Sequence, residues 1–262
     1  MRSLAAILLM AALTGGSALA AECPGGRPDA LGTERVLVVA PKEHGRIGTM
    51  QYPETLPLAD KEVVLSFDDG PLPPYTDRIL ETLAAECVKA TFFMVGRQAN
   101  AYPATVRRVY NEGHTIASHS QNHPRIFTKL TLLGAEQEVD QGIRSITAAL
   151  GDPRALGPFF RFPGFASSPA LLERLARRRI VVFGADLWAS DWTPMSPDAE
   201  LRLVLHRLDQ AGHGIVLFHD TKRQTAAMLP AFLRALKQRG FRIVHVVPAN
   251  SAGKVSKGPA EP

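Results

Sequence analysis

From Glu62 onward the chain repeats one pattern, a short β-branched or aromatic run followed by a helical stretch. Few folds accept that alternation, because parallel strands need long crossovers and helical crossovers cover the faces of the sheet. Runs at 63–67, 90–95, 115–118, 159–162, 180–184, 214–218 and 242–247 read as strands. Stretches at 75–85, 103–112, 131–150, 169–178, 197–211 and 225–239 read as the helices between them. So many units exceed a small sandwich and suit either an open doubly wound sheet or a closed, incomplete barrel.

The placement of ionisable residues chooses between the two. Asp68 and Asp69 end the first strand, His119 the third and Arg161 the fourth; Asp186 and Asp191 follow the fifth, and His219 ends the sixth. Polar groups gathered at the C-terminal ends of several different strands describe the mouth of a barrel. An open sheet would concentrate its ligand at one switch point, usually beside a Gly-rich phosphate loop, and neither G-x-G-x-x-G nor G-x-x-x-x-G-K-[ST] occurs. The expected fold is therefore α/β, a distorted (β/α) barrel with about seven parallel strands, over residues 62–248.

The flanks read differently. Arg2, an apolar run from Leu4 to Leu13 and the small-residue end Ala18-Leu19-Ala20 make residues 1–20 a cleavable export signal. Residues 21–61, rich at first in Gly and Pro, form an expected arm with a candidate extra strand at 36–39, and 249–262 has too little to bury to order itself. No later run approaches the roughly 20 apolar residues of a membrane span, so the expected product is periplasmic or secreted with no integral membrane anchor. The formal charge of +5 falls by one with Arg2. No Lys/Arg stripe interleaved with aromatics marks a nucleic-acid surface, and Arg177, Arg178 and Arg179 read as cations closing a helix. Cys23 and Cys87, the two cysteines, either bridge in an oxidising compartment or stay as thiols.

Ser66-Phe67-Asp68-Asp69-Gly70-Pro71 sets two carboxylates where a strand ends and the backbone turns, so that neighbours can serve different tasks. His119 and His123 stand four apart, on one side if the segment makes a helical turn. Two imidazoles and one carboxylate hold a borderline divalent ion with positions left open, the composition of a catalytic site. Zinc is the first choice, and cobalt, nickel, manganese or iron also match the ligand types. His44, His114, His206, His213 and His245 fall outside this constellation and read as surface or packing residues.

Taken in order, Asp68-Asp69-Gly70-Pro71, His119-Ser120-x-x-His123, Arg161-x-Pro163, Asp191-Trp192 and Leu217-x-His219 resemble the motifs of the polysaccharide deacetylase family, carbohydrate esterase family four. The resemblance spans roughly 62–247 and implies a metal-dependent N-deacetylase acting on an N-acetylglucosamine-containing glycan. It implies Asp69, His119 and His123 as metal ligands, Asp68 as catalytic base and His219 as the acid that protonates the departing amine. Arg161 would orient Asp68, and Asp191 would keep His219 protonated. Gly164, Trp192 and Leu217 would border the substrate. A bound ion lowers the pKa of a water toward about 7 and polarises the carbonyl, while an unligated carboxylate takes the proton.

The sequence departs from the family at Gly164, where many members carry tyrosine, and at Trp188, where an aspartate often precedes Asp191 by three; Asp186 lies two residues earlier. Trp188 and Trp192, the chain's two tryptophans, fall in one loop and either pack as core or floor a pocket. Hydrolysis of another amide or ester is the nearest rival, since such machinery recognises a carbonyl. A glycan-binding protein without turnover would need neither Asp68 nor His219. A glycosidase would need both carboxylates free across a sugar.

Overall fold

The computed structural model describes residues 26–124 and 127–249. The expectations for 1–20, for Cys23 and for 250–262 lie outside the described residues. Cys87 is disulfide-bonded.

The chain runs β1 (Arg35–Val39), β2 (Arg46–Ile47), β3 (Glu62–Asp68), α1 (Tyr75–Ala85), β4 (Thr91–Met94), α2 (Gly96–Ala101), α3 (Pro103–Asn111) and β5 (Thr115–Ser118). It continues α4 (Leu132–Leu150), β6 (Leu156–Phe160), α5 (Pro169–Arg177), β7 (Val181–Phe183), β8 (Leu187–Trp188), α6 (Pro197–Ala211), β9 (Gly214–His219), α7 (Arg223–Gln238) and β10 (Arg242–Pro248). Helix starts follow from local chemistry. Thr131, Ser168 and Ser196 each accept a backbone N–H of the first turn of α4, α5 and α6. Pro169 and Pro197 open their helices where no N–H is required. Gly151 ends α4 in the left-handed conformation.

All strand pairs are parallel, and β3, β4, β5, β6 and β7 follow one another in space. On its other side β3 pairs with β9, and β9 with β8. Only Gly184, Ala185 and Asp186 separate β7 from β8, so the chain itself closes the ring at that bend. β10 leaves β3 at Arg242 and Ile243 and carries β1 along its free edge, while β2 inserts against β7. The short β2, β8 and α2, absent from the sequence expectation, are too brief to show a period. The fourth strand lies earlier than the aromatic run at 159–162, because Arg161 and Phe162 continue past the ladder into the Pro163 turn.

Side chains on β3 alternate between two layers. Val63, Leu65 and Phe67 join Phe92, Leu229 and Phe232 under the helices. Val64 belongs to a second cluster with Phe93, Phe159, Phe183, Ile215 and Val246, inside the ring. Ser66 and Asp68 share the parity of Val64, so the strand's own period turns Asp68 toward the interior while Phe67 meets helices.

One glycine fixes how closely α4 approaches the loop after β5. A Cβ on Gly142 would lie 2.6 Å from the carbonyl carbon of Ser120, which no backbone can yield to cheaply. Gly142→Ala gains about 1 kcal/mol of helix propensity. We expect overpacking of about 1–3 kcal/mol to outweigh it, read as a lower urea midpoint than wild type; a raised midpoint would show that the loop gives way freely.

Candidate active site

The ends of β3, β5 and β9 converge on one polar centre at the mouth of the ring. Asp68 is the last residue of β3 and pairs directly with His219 at the end of β9. Asp69 turns the chain with a left-handed φ of 80°, so its carboxylate leaves the strand in a new direction. Gly70 sits over the Asp220 carboxylate, where a Cβ would lie 1.9 Å from Oδ2. Only glycine leaves room for this close approach.

His119 and His123 are brought together without the helical turn that their spacing suggests. His119 N–H donates to Met94 at the end of β4. Left-handed φ values at Ser120 (68°) and His123 (53°) then fold the segment back, and Ser120 Oγ accepts the His123 N–H at 3.1 Å. The two rings end with centroids 5.0 Å apart. His119 Nε2 and His123 Nε2 lie 3.6 and 3.2 Å from Asp69 Oδ1, and one ligand atom from each of the three residues falls within 4.8 Å of the others.

This trio fits a divalent ion. Asp69 Oδ1 is buried with no hydrogen-bond partner, a costly state that an ion would relieve. His119 Nδ1 donates to the Arg161 carbonyl at 2.8 Å, which fixes the tautomer and leaves Nε2 with a free lone pair. Burial holds His119 neutral, pulled down to about 3 with the Asp69 charge opposing, so that lone pair is not lost to a proton near neutral pH.

Asp68 stands beside the trio, its Oδ2 3.7 Å from His119 Nε2. Its Oδ1 accepts from Arg161 Nη1 at 2.7 Å. Arg161 is wholly buried and also donates to Ser66 Oγ and to the Gly184 carbonyl, with its guanidinium 4.1 Å over the Phe93 ring. Burial pushes the Asp68 carboxyl up, and the Arg161 charge and hydrogen bond oppose that rise. Across the mouth, His219 Nδ1 and backbone N–H both reach the Asp191 carboxylate at 2.7 Å. Burial would lower His219, but the hydrogen bond and charge of Asp191, then Asp69 and Asp68, outweigh it and raise His219 to about 9. Asp191 is fully buried.

The rim is aromatic. Trp192, 46% exposed, stands edge-on to His219 and to Trp188, and Trp188 stacks on Phe165. Leu217 is buried in β9 beside Trp188. Gly164 has a φ of 56° and open space where a side chain would be. Asp186 does not join the centre. Its carboxylate takes the Thr49 N–H and hydroxyl, the Thr55 hydroxyl and the Ile215 N–H, tying the 48–55 segment to β9. His114 and His245 are buried packing residues, and His44, His206 and His213 are solvent-accessible.

Several residues around the site carry no sequence signal. Asp220 is buried and bonded to Thr76 Oγ1 at 2.8 Å, and its N–H donates to the Asp68 carbonyl. Burial, with the Asp69 and Asp68 charges adding, raises its carboxyl to about 7. Thr225 and Glu200 stand behind Asp191 on α7 and α6.

The sequence pattern of the polysaccharide deacetylase family matches residues 56–180, a span holding Asp68, Asp69, His119, His123 and Arg161. A peptidoglycan-N-acetylglucosamine deacetylase of Bacillus cereus is 34% identical over 196 residues, which cover 69% of this chain and 67% of that protein. A chitooligosaccharide deacetylase of Sinorhizobium fredii is 30% identical over 217 residues, or 77% of this chain and 98% of that one. The structure of the Bdellovibrio bacteriovorus peptidoglycan deacetylase Bd3279 superimposes with a TM-score of 0.76 at 32% identity, covering 88% of this chain and 65% of that chain. Sequence, ring topology and the paired carboxylates facing two imidazoles agree, and the chain belongs to the polysaccharide deacetylase family.

Proposed function

We propose that this chain is a metal-dependent hydrolase releasing acetate from N-acetylglucosamine-containing glycans of the peptidoglycan or chitooligosaccharide kind. Residues 62–248 are its catalytic domain, and residues 1–20 direct its export to the periplasm or exterior. Among the described residues no helix is long and apolar enough to cross a membrane. The observation that carries the reading is the convergence of Asp69, His119 and His123 beside a second carboxylate, Asp68, that no hydrogen bond ties to them.

Asp69, His119 and His123 would hold the ion, with zinc first among those the donor set accepts. When bound, the ion supplies Lewis acidity for the acetamido carbonyl and makes a water easier to deprotonate. Asp68 accepts the proton from that water. Arg161 fixes Asp68 Oδ1 in one direction and leaves Oδ2 facing the centre. His219, held protonated through Asp191, gives its Nε2 proton to the departing amine, because an amide anion leaves too poorly. Trp192 and Trp188 wall one side, and the space left open at Gly164 admits a polymer passing over the rim.

The test is an acetate-release panel on peptidoglycan, chitooligosaccharides and cyclic imides, with chelator-stripped and metal-restored protein. Release from N-acetylated glycans that vanishes on stripping and returns with zinc or cobalt is expected. His123→Ala should lose the ion and the activity together, by elemental analysis and acetate assay. Full turnover in stripped protein, or imide hydrolysis without glycan deacetylation, rejects the reading.

A further inference from the structure

Behind Asp191, the hydrogen bonds at one buried hydroxyl outnumber the protons it can give. Thr225 Oγ1 on α7 lies 2.7 Å from Asp191 Oδ2 and 2.9 Å from Glu200 Oε1. A hydroxyl carries one proton and can donate it to one carboxylate only. Asp191 already accepts the His219 backbone N–H on Oδ2 and His219 Nδ1–H on Oδ1, so directed donors hold it ionised. The Thr225 proton therefore goes to Asp191. What Thr225 then shows Glu200 is a lone pair, and at 2.9 Å the contact bonds only if Glu200 Oε1 carries a hydrogen.

The surroundings of Glu200 agree. It enters from the first turn of α6 and is fully buried, and its Oε2 has no partner. No ion pair reaches it among the described residues; the charged groups that act on it are Asp191, from the loop after β8, and His219, from the end of β9. Two ionised carboxylates sharing one buried hydroxyl would repel strongly.

We propose that Glu200 is a neutral carboxylic acid that donates to Thr225, which donates to Asp191, and that this chain sets the orientation in which Asp191 holds His219. Glu200 is thus a positioning residue for the acid step, and the inference rests on the reading of His219 as proton donor. Burial, with the charge of Asp191 adding and Thr225 and His219 opposing, lifts the Glu200 carboxyl to about 8, in the direction that the hydrogen-bond geometry demands.

Infrared difference spectra of the metal-loaded wild type against E200Q, near neutral pH, test the protonation without using activity. A protonated-carboxyl band lost in the variant is expected; loss of carboxylate bands instead overturns the proposal. Turnover tests the positioning. E200A should lower kcat by roughly tenfold, the worth of one buried hydrogen bond, with KM unchanged, and E200Q, whose amide still donates to Thr225, should recover most of it. Equal loss in both variants overturns the proposal. Should E200A fail to fold, Thr225→Val removes both bonds at nearly constant shape and should show the same split between kcat and KM; normal turnover in it overturns the proposal.

Stability gives a third check. Between pH 4.5 and about 8 the unfolded chain has released this proton and the folded chain keeps it, so wild-type stability should fall with rising pH relative to E200Q. A parallel pH dependence in the two proteins counts against a neutral Glu200. A wild type that releases no acetate would reject the deacetylase reading and leave the infrared and stability results to decide this one.

Discussion

Asp68→Asn should lower acetate release by about 10²–10⁴-fold while the protein still binds its divalent ion. Asparagine keeps the shape of the side chain and an oxygen for Arg161 Nη1, so the geometry around Asp69, His119 and His123 is preserved. The ability to accept a proton is lost. With Asp68 in its proposed role, acting on the reacting water and not on the sugar, the loss should fall on kcat, with KM little altered. Steady-state kinetics on a chitooligosaccharide, with metal content measured on the same sample, separates the outcomes. Undiminished turnover with metal bound would remove Asp68 from the mechanism. Loss of the ion would make Asp68 a ligand.

The second large effect belongs to Arg161. Its guanidinium has no exposed surface, and Asp68, Ser66 Oγ, the Gly184 carbonyl and the Phe93 ring surround it. Arg161→Met leaves Asp68 buried without its cation, a change that should cost about 3–5 kcal/mol. In a domain of this size the midpoint of thermal unfolding should drop by about 10 °C. Activity should fall as well, for a separate reason. Burial already raises Asp68, and without the opposing charge it rises further, so the acid limb of the pH–rate profile should move to higher pH. Adding Asp68→Leu to Arg161→Met removes the stranded charge and should recover much of the stability with none of the activity. A single variant that melts like wild type would show that water reaches the pair and that the burial argument fails.

Much of this was legible in the sequence, for identifiable reasons. The end of β3 was readable to within a residue because Gly70-Pro71 punctuates an apolar run, whereas Pro163-Gly164 marked a turn that β6 stops short of, and α1 and α6 have the bounds that their periodicity gives. The polar residues at strand ends pointed to a ring, and the structure gathers Asp68, Asp69, His119, Arg161, Asp191 and His219 around one centre while Asp186 turns away to Thr49, Thr55 and Ile215. The spacing of His119 and His123 misled about the path between them, since left-handed turns at Ser120 and His123 do what a helical turn was expected to do. Asp186 could not be assigned, because its donors come from Thr49, Thr55 and Ile215, whose neighbourhood is decided by how β2 inserts. Glu200 and Thr225 were invisible for the same cause. An acid in the first turn of a helix is ordinary, and only the packing of α6 against α7 sets it against a threonine 25 residues later.

The bend that joins β7 to β8 has one more meaning. The Gly184 carbonyl at that bend is what Arg161 grips with the nitrogen that does not hold Asp68. Circularising the sheet and locking the carboxylate proposed as general base are thus a single event. A chain whose last staves have not met would carry Asp68 and Arg161 without the Gly184 carbonyl that fixes the guanidinium. On the roles proposed above, such a form would be chemically silent until its topology was complete.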